Sequence, residues 1–410
     1  MSGRVLVVAD DLTGANDTGV QFALAGWSTT LRLGGDAPAP VGPGHATALS
    51  TDSRALLSEA ASAATRAAVE AEGLDDGDHL YLKTDSTLRG SVAAQIAGAL
   101  SARSGSPERT IVVLCPAYPA MGRTVRQGRL MVHGEPVTRS PAGRDPVTPV
   151  TRDLLTELVP GAVTVPVEPS AGAWARAIDA ASTRGAVIAA DASTDEELAR
   201  LAEAILLLGP RAVPAGSAGL AAPLAALWRA GGGRPDRAVP PPTAHRPLVL
   251  VTSHHAVARA QVTAAEADGS VTVVRTEIDA LLRGETPAPP AGDGPLVLLS
   301  PDERARPGHS GPLATALAER AVALLDGATR PFDAAVLIGG DGAEAFLTAV
   351  GSHGIAVRGT LLEGVPDGRI AGGSRDGLAV VTKAGGFGDE TTLTLLLRSL
   401  RTPTRTETSR

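Results

Sequence analysis

The stretch RVLVVADDLTGANDTG, residues 4–19, sets the frame for the whole chain. Its apolar run Arg4–Ala9 is the length of one strand, ends on two adjacent carboxylates, Asp10 and Asp11, and passes through Thr13 and Gly14 into a helix-like segment over Ala15–Ala25. The theme recurs downstream. Thr30–Leu33, Ala46–Ser50, Leu80–Lys83 and Ile111–Cys115 read as strands, and Leu56–Glu72, Val92–Arg103, Trp174–Thr183 and Glu196–Leu208 as helices. Such alternation predicts an α/β fold with a largely parallel sheet flanked by helices.

Residues 231–247 break the pattern with three glycines and the run Pro240-Pro241-Pro242, which can hold neither a helix nor a central strand, so they read as a linker. Alternation then restarts with strands Leu248–Thr252, Val271–Arg275, Leu296–Leu299 and Ala334–Ile338 and helices Val257–Ala267 and Leu313–Leu325. Pro287–Pro295 reads as a loop insert. The expected organisation is one domain over 1–230, the linker over 231–247, a second domain over 248–400 and a polar tail over 401–410.

Composition narrows the function class. Over 410 residues, 43% hydrophobic and 20% charged residues describe a folded soluble protein. No apolar run reaches the roughly 18–20 residues a membrane span needs, and the opening strand is too short for a signal-peptide core. A net charge of −7 argues against a nucleic-acid surface. One cysteine, Cys115, cannot form an internal disulfide and fits a reducing cytoplasm. It ends an apolar strand with no base near it in sequence, so packing is its expected role. Among 37 basic residues only two are lysines, Lys83 and Lys383, and Asn16 is the one asparagine, consistent with a GC-rich coding bias. All three sit in Gly-, Asp- or Thr-rich motifs, where a compact ammonium or a turn amide does what Arg cannot.

In an open parallel sheet ligands bind beyond the carboxyl ends of the strands. Asp10 and Asp11 lie there, suited to hold a hydroxyl and accept its proton, although an Asp at this place also serves as a helix cap. Lys83-Thr84-Asp85-Ser86 follows the next strand: an ammonium for a carboxylate or phosphate, with Asp85 and Ser86 for hydroxyls. Arg54, after Ala46–Ser50, reaches the same edge and could grip a carboxylate in two-point fashion. In the second half, Ala334–Ile338 ends in Gly339-Gly340-Asp341-Gly342, and a strand ending at Lys383 opens onto Ala384-Gly385-Gly386-Phe387-Gly388 before the helix Thr392–Leu400. Two strand–glycine loop–helix units in one domain point to polyphosphate binding by backbone N–H groups and helix N-termini. Neither reads G-x-G-x-x-G after a first strand, which argues against a dehydrogenase.

With ADDLTGANDTG (9–19), KTDSTLRG (83–90), CPAYPAMGRTVRQGRL (115–130), GGDG (339–342) and TKAGGFGDE (382–390) in this order, the sequence resembles the four-carbon acid sugar kinase family over about residues 3–400. The resemblance implies an N-terminal acid-sugar domain, a C-terminal ATP domain and a ligand site in the cleft between them. The implied reaction is transfer of the ATP γ-phosphoryl to a hydroxyl of threonate, erythronate or 3-oxo-tetronate, with Mg²⁺ on the phosphates. By position, Asp10, Asp11, Arg54, Lys83, Thr84, Asp85 and Ser86 would hold the acid. Ser253, Gly339, Gly340, Asp341, Gly342, Lys383, Gly385 and Gly386 would hold ATP. Asp10, Asp11 and Asp85 are the candidate bases, and no metal ligand is assigned.

One segment departs from the family's Ser-Gly-Ser type of turn: Thr252-Ser253-His254-His255, with Ala258 where Thr is usual and Gln261 retained. Adjacent histidines rarely point both rings at one ion. A remodelled turn puts the Ser253 contact in question and leaves two alternatives beside the kinase reading: a family member acting on another small hydroxy acid, and a non-catalytic acid-sugar-binding protein. Small molecules, not nucleic acid or membrane, are the expected partners, and self-association into a homo-oligomer stays open.

Overall fold

The computed structural model describes residues 3–33, 41–75, 77–105, 109–145, 147–229, 242–285, 292–301, 310–328, 330–362 and 364–402. The chain divides into two compact units, with the main division after Asp236 and the short segment Leu31–Leu33 counted with the second. That division, most of the expected linker, most of the Pro287–Pro295 insert and all but the first two residues of the expected tail lie outside the described residues.

The strands up to residue 236 are β1 (Val5–Ala9), β2 (Ser28–Arg32, its last two residues counted with the second unit), β3 (His45–Ser50), β4 (His79–Lys83), β5 (Ile111–Cys115), β6 (Arg123–Arg126), β7 (Arg129–Val132), β8 (Glu135–Pro136), β9 (Val163–Val165), β10 (Val187–Ala190) and β11 (Ala212–Gly216). The main sheet runs β2-β3-β1-β4-β11-β5-β10-β9, and every pair from β3 to β9 is parallel. β1 and β5 are buried along their whole length, as unbroken apolar runs are when helices cover both faces of a parallel sheet. The chain adds β3 on one side of β1 and β4 on the other, so the order reverses there.

Register fixes what this reversal presents. Ala9 pairs with Ser50 and Lys83, and Gly216 with Lys83 and Cys115. The residues that follow, Asp10, Thr51, Thr84, Ser217 and Pro116, therefore share one edge. β11 is absent from the sequence reading because Pro214 lies inside it, and proline is unusual in a central strand. Here β4 takes up its ladder to β11 only from Ala215 onward, so the missing N–H falls outside it. The antiparallel β6-β7-β8 sheet was likewise not foreseen.

The second unit carries β12 (Pro247–Val251), β13 (Thr272–Arg275), β14 (Leu296–Leu299), β15 (Ala334–Ile338), β16 (Gly354–Leu362), β17 (Val365–Ala371) and β18 (Ala379–Lys383). Its order is β13-β14-β12-β15-β18-β17-β16. The first five are parallel, whereas β17 runs antiparallel to both β18 and β16, a departure from the simple alternation expected. Val251, Ile338 and Lys383 are in register, so Thr252, Gly339 and Ala384 share an edge at a second reversal, β12 against β15. Buried residues of these strands and of helices Ala256–Ala267 and Thr392–Arg401 form one core. Arg401 closes the last helix, one residue beyond the expected Leu400.

Candidate active site

At the edge of β1, β3 and β4, Asp11 is the N-cap of helix Leu12–Leu24 and accepts the Gly14 N–H at 2.7 Å. Capping does not exhaust it: its second oxygen meets Arg54 Nη1 at 2.7 Å. Arg54 also holds Asp10 in two-point fashion, Nε to Oδ2 at 2.7 Å and Nη2 to Oδ1 at 3.0 Å, and lies 3.6 Å from Asp85. The turn carrying Arg54 is clamped onto the end of β1, with Ser53 and Arg54 N–H both donating to Asp10 O and Thr51 Oγ1 donating to Ala9 O. Asp52 adopts φ +45° in this turn, a left-handed conformation that non-glycine residues hold mainly where surroundings impose it. Gly90 is required beside it, since at φ +83° a side chain there would press within 2.8 Å of Arg54 O.

Asp85 accepts from Thr87 N–H and Oγ1 and from Arg89 Nε and Nη2 (3.3 and 2.7 Å), and Arg89 Nη1 continues to Asp145 at 3.0 Å. Burial works to raise the Asp85 carboxyl, but Arg54 and Arg89 outweigh it and hold it well below the usual range. Burial pushes the Asp10 carboxyl up; Arg54 opposes this, Asp11 adds to it, and the result is a raised value. Thr84 and Lys83 are buried, Lys83 Nζ donating to Thr84 O at 2.8 Å, and Ser86 is half-buried.

Three charged residues not singled out from sequence join this cluster: Arg89, Asp17 and Arg123. Asp17 makes no ion pair or hydrogen bond through its carboxylate among the described residues, and burial raises it while Lys83 opposes. Arg123 opens β6 on the loop after β5. Its Nη1 donates to Met121 O, its buried Nε has no partner, and burial lowers it while Asp85 and Asp17 act on it from nearby. Only the recurrence of lone charges within the quoted motifs could have flagged these residues. Cys115 is fully buried, its thiol pushed up to about 12 by burial.

The edge of β12, β15 and β18 is built differently. Helix Gly340–Ala349 starts at Gly339 (φ +115°) with no side chain capping it, so its first N–H groups face outward as in anion sites. A Cβ on Gly339 would come within 2.6 Å of Thr252 Oγ1, and one on Gly342 would overlap Thr252. A Cβ on Gly385 would likewise overlap Ser253, and one on Gly386 would press on the His255 ring. Lys383 Nζ donates to Ala384 O and Phe387 O at 2.8 and 2.9 Å, and burial lowers it to about 8. Gln261 Nε2 donates to Phe387 O and Asp389 O at 2.9 and 2.7 Å. Asp341 is exposed in the first helical turn. Among the described residues no group of three or more His, Cys, Asp or Glu is arranged to hold a metal ion, and no helix is long and apolar enough to cross a membrane. A nucleotide fits this edge; a cation there would be held chiefly by the phosphates.

Residues 5–224 match the model of a sugar-binding N-terminal domain and residues 299–393 that of a nucleotide-binding C-terminal domain. The chain is similar to a D-threonate kinase of Bordetella bronchiseptica, 41% identical over 96% of this chain and 97% of that protein. It is also similar to a 3-oxo-tetronate kinase of Methylobacterium radiotolerans, 29% identical over 95% and 97%. The solved structure of a Salmonella typhimurium protein shares the fold, with a TM-score of 0.76 at 21% identity over 97% and 99%. The fold is α/β, and full-length relatives named as kinases make the chain a phosphotransferase. The chain belongs to the four-carbon acid sugar kinase family.

Proposed function

We propose that the enzyme transfers the γ-phosphoryl group of ATP to a hydroxyl of a four-carbon aldonate, with D-threonate as the first substrate to test. The observation that carries this reading is the distribution of charge at the β1–β4 edge. Arg54 and Arg89 are committed to Asp10, Asp11, Asp85 and Asp145, whereas among the described residues Lys83 and Arg123 make no ion pair. A bound carboxylate belongs against these two cations, so Arg54, an expected substrate ligand, serves instead to organise the carboxylates. The 41% identity to a D-threonate kinase, against 29% to a 3-oxo-tetronate kinase, favours the unoxidised acid.

In-line phosphoryl transfer asks for positioning and charge neutralisation more than covalent chemistry. Of the carboxylates at this edge, Asp85 is the weakest base, since two guanidinium groups hold it ionised. Asp10 and Asp11 have both oxygens engaged. Asp17 is raised by burial and uncommitted, which suits it to accept the hydroxyl proton. The first turn at Gly339–Gly342 and the Gly385-Gly386 loop would take the phosphates, and Mg²⁺ would neutralise them.

The test is ADP release from Mg·ATP across C4 and C5 aldonates and their 2- and 3-oxo forms. Turnover on D-threonate is expected. Lys83→Ala should raise its KM about 10- to 100-fold, the loss of a hydrogen bond to a charged group. Asp17→Asn should lower kcat about 100-fold or more with KM nearly unchanged, the size of a general-base contribution. Turnover on another acid alone would move the substrate assignment. No turnover, with thermal stabilisation by an acid and none by Mg·ATP, would replace the kinase reading with the non-catalytic one.

A further inference from the structure

The turn after β12 sets two imidazoles on different tasks. His254 turns to Arg259, its Nδ1 lying 3.2 Å from Nη2. His255 is the N-cap of the 12-residue helix Ala256–Ala267, its Nδ1 accepting the Val257 N–H at 3.2 Å. An Nδ1 that accepts carries no proton, so in the neutral ring the hydrogen sits on Nε2. That edge of the ring faces the glycine loop after β18: a Cβ built on Gly386 would lie 3.0 Å from Nε2 and 3.3 Å from Cε1.

The loop's own peptide groups are oriented by what grips them. Lys383 Nζ draws Ala384 O, and Lys383 and Gln261 together draw Phe387 O. In a planar trans peptide the N–H points opposite to its C=O, so the Gly385 and Gly388 N–H groups are turned away from the lysine. The His255 ring, the outward Gly385 amide and the start of helix Ala256–Ala267 therefore meet at one place.

Building on the ATP reading above, we propose that His255 is a nucleotide-phosphate ligand, its Nε2–H donating to a phosphate oxygen held by the Ala384–Gly386 loop. Asparagine separates this from capping alone, because it caps a helix well but has no donor at the Nε2 position. Calorimetric titration of the full-length protein with Mg·ADP should give about 10-fold weaker binding for both His255→Asn and His255→Ala, the loss of one hydrogen bond to a charged group. The stabilisation of each variant by D-threonate should match wild type, and His254→Ala should bind Mg·ADP as wild type does. Unchanged Mg·ADP binding in His255→Asn, with loss only in His255→Ala, would reduce His255 to a cap and overturn the proposal while leaving the kinase reading intact. A wild-type protein that binds neither Mg·ADP nor Mg·ATP would overturn both together.

Discussion

At the edge of β1, β3 and β4 the side chains are long, charged and committed to one another, whereas at the edge of β12, β15 and β18 four glycines stand where side chains would be. The first edge fixes Asp10, Asp11, Arg54, Asp85 and Arg89 by opposite neighbours, so that its precision comes from pairing. The second brings three backbone segments together and presents amide groups, so that its precision comes from contact distance. A charge network fails when one member is removed; a backbone cradle fails when one atom is added.

Removing one member should therefore have the largest effect. Arg54→Ala leaves Asp10, Asp11 and Asp85 without their common counter-charge, and breaking such a buried pair costs about 3–5 kcal/mol. Denaturant unfolding should show that loss, with acid phosphorylation abolished in whatever protein still folds. A loss below about 1 kcal/mol, the value of an exposed pair, would break the comparison at its stronger side.

Adding one atom should come next. Gly342→Ala drives a Cβ into Thr252, and overpacking costs about 1–3 kcal/mol. Expressed through the nucleotide cradle, that is about 10- to 100-fold weaker Mg·ADP binding by calorimetry, with thermal stabilisation by the acid unchanged. Equal losses for both ligands would show that the two edges do not fail independently.

The smallest effect separates the edges by pH. Because Arg54 and Arg89 hold the folded Asp85 well below its unfolded value of about 3.9, its carboxylate contributes stability above that pH. The contribution is lost as pH falls through the folded value. Asp85→Asn should accordingly be less stable than wild type at pH 7, with the difference in Tm shrinking below about pH 4. A difference that stays constant down to pH 2.5 would mean that packing, not charge, holds Asp85 in place.

Much of this was legible in the chain because each edge lies where an apolar run stops on an abrupt polar or glycine cluster. Ala9 before Asp10, Leu82 before Lys83 and Ile338 before Gly339 are such places; register sets Ala9 beside Lys83 in the first unit and Ile338 beside Lys383 in the second. What was not legible depends on residues far apart in sequence. Nothing local says that Arg54 is claimed by Asp10 and Asp11, 44 and 43 positions earlier, rather than left open for a ligand. Nothing local marks Arg123, whose relevance rests on the order β4-β11-β5, and Pro214 concealed the strand that creates this order. The antiparallel β16 and β17 carry too many glycines and a proline to show a strand period.

The scarcity of lysine has a practical consequence for chemical labelling. Apart from the α-amino group, the amines of this chain are Lys83 and Lys383, 5% and 2% exposed, one in each unit. An acylating reagent thus finds no surface lysine to consume it and reaches these two when the surrounding structure opens. With Lys383 lowered to about 8 by burial, about a tenth of it is deprotonated, and so nucleophilic, at pH 7. Peptide mapping of the acylated chain would then clock the local opening of each unit separately, with no label introduced by mutation.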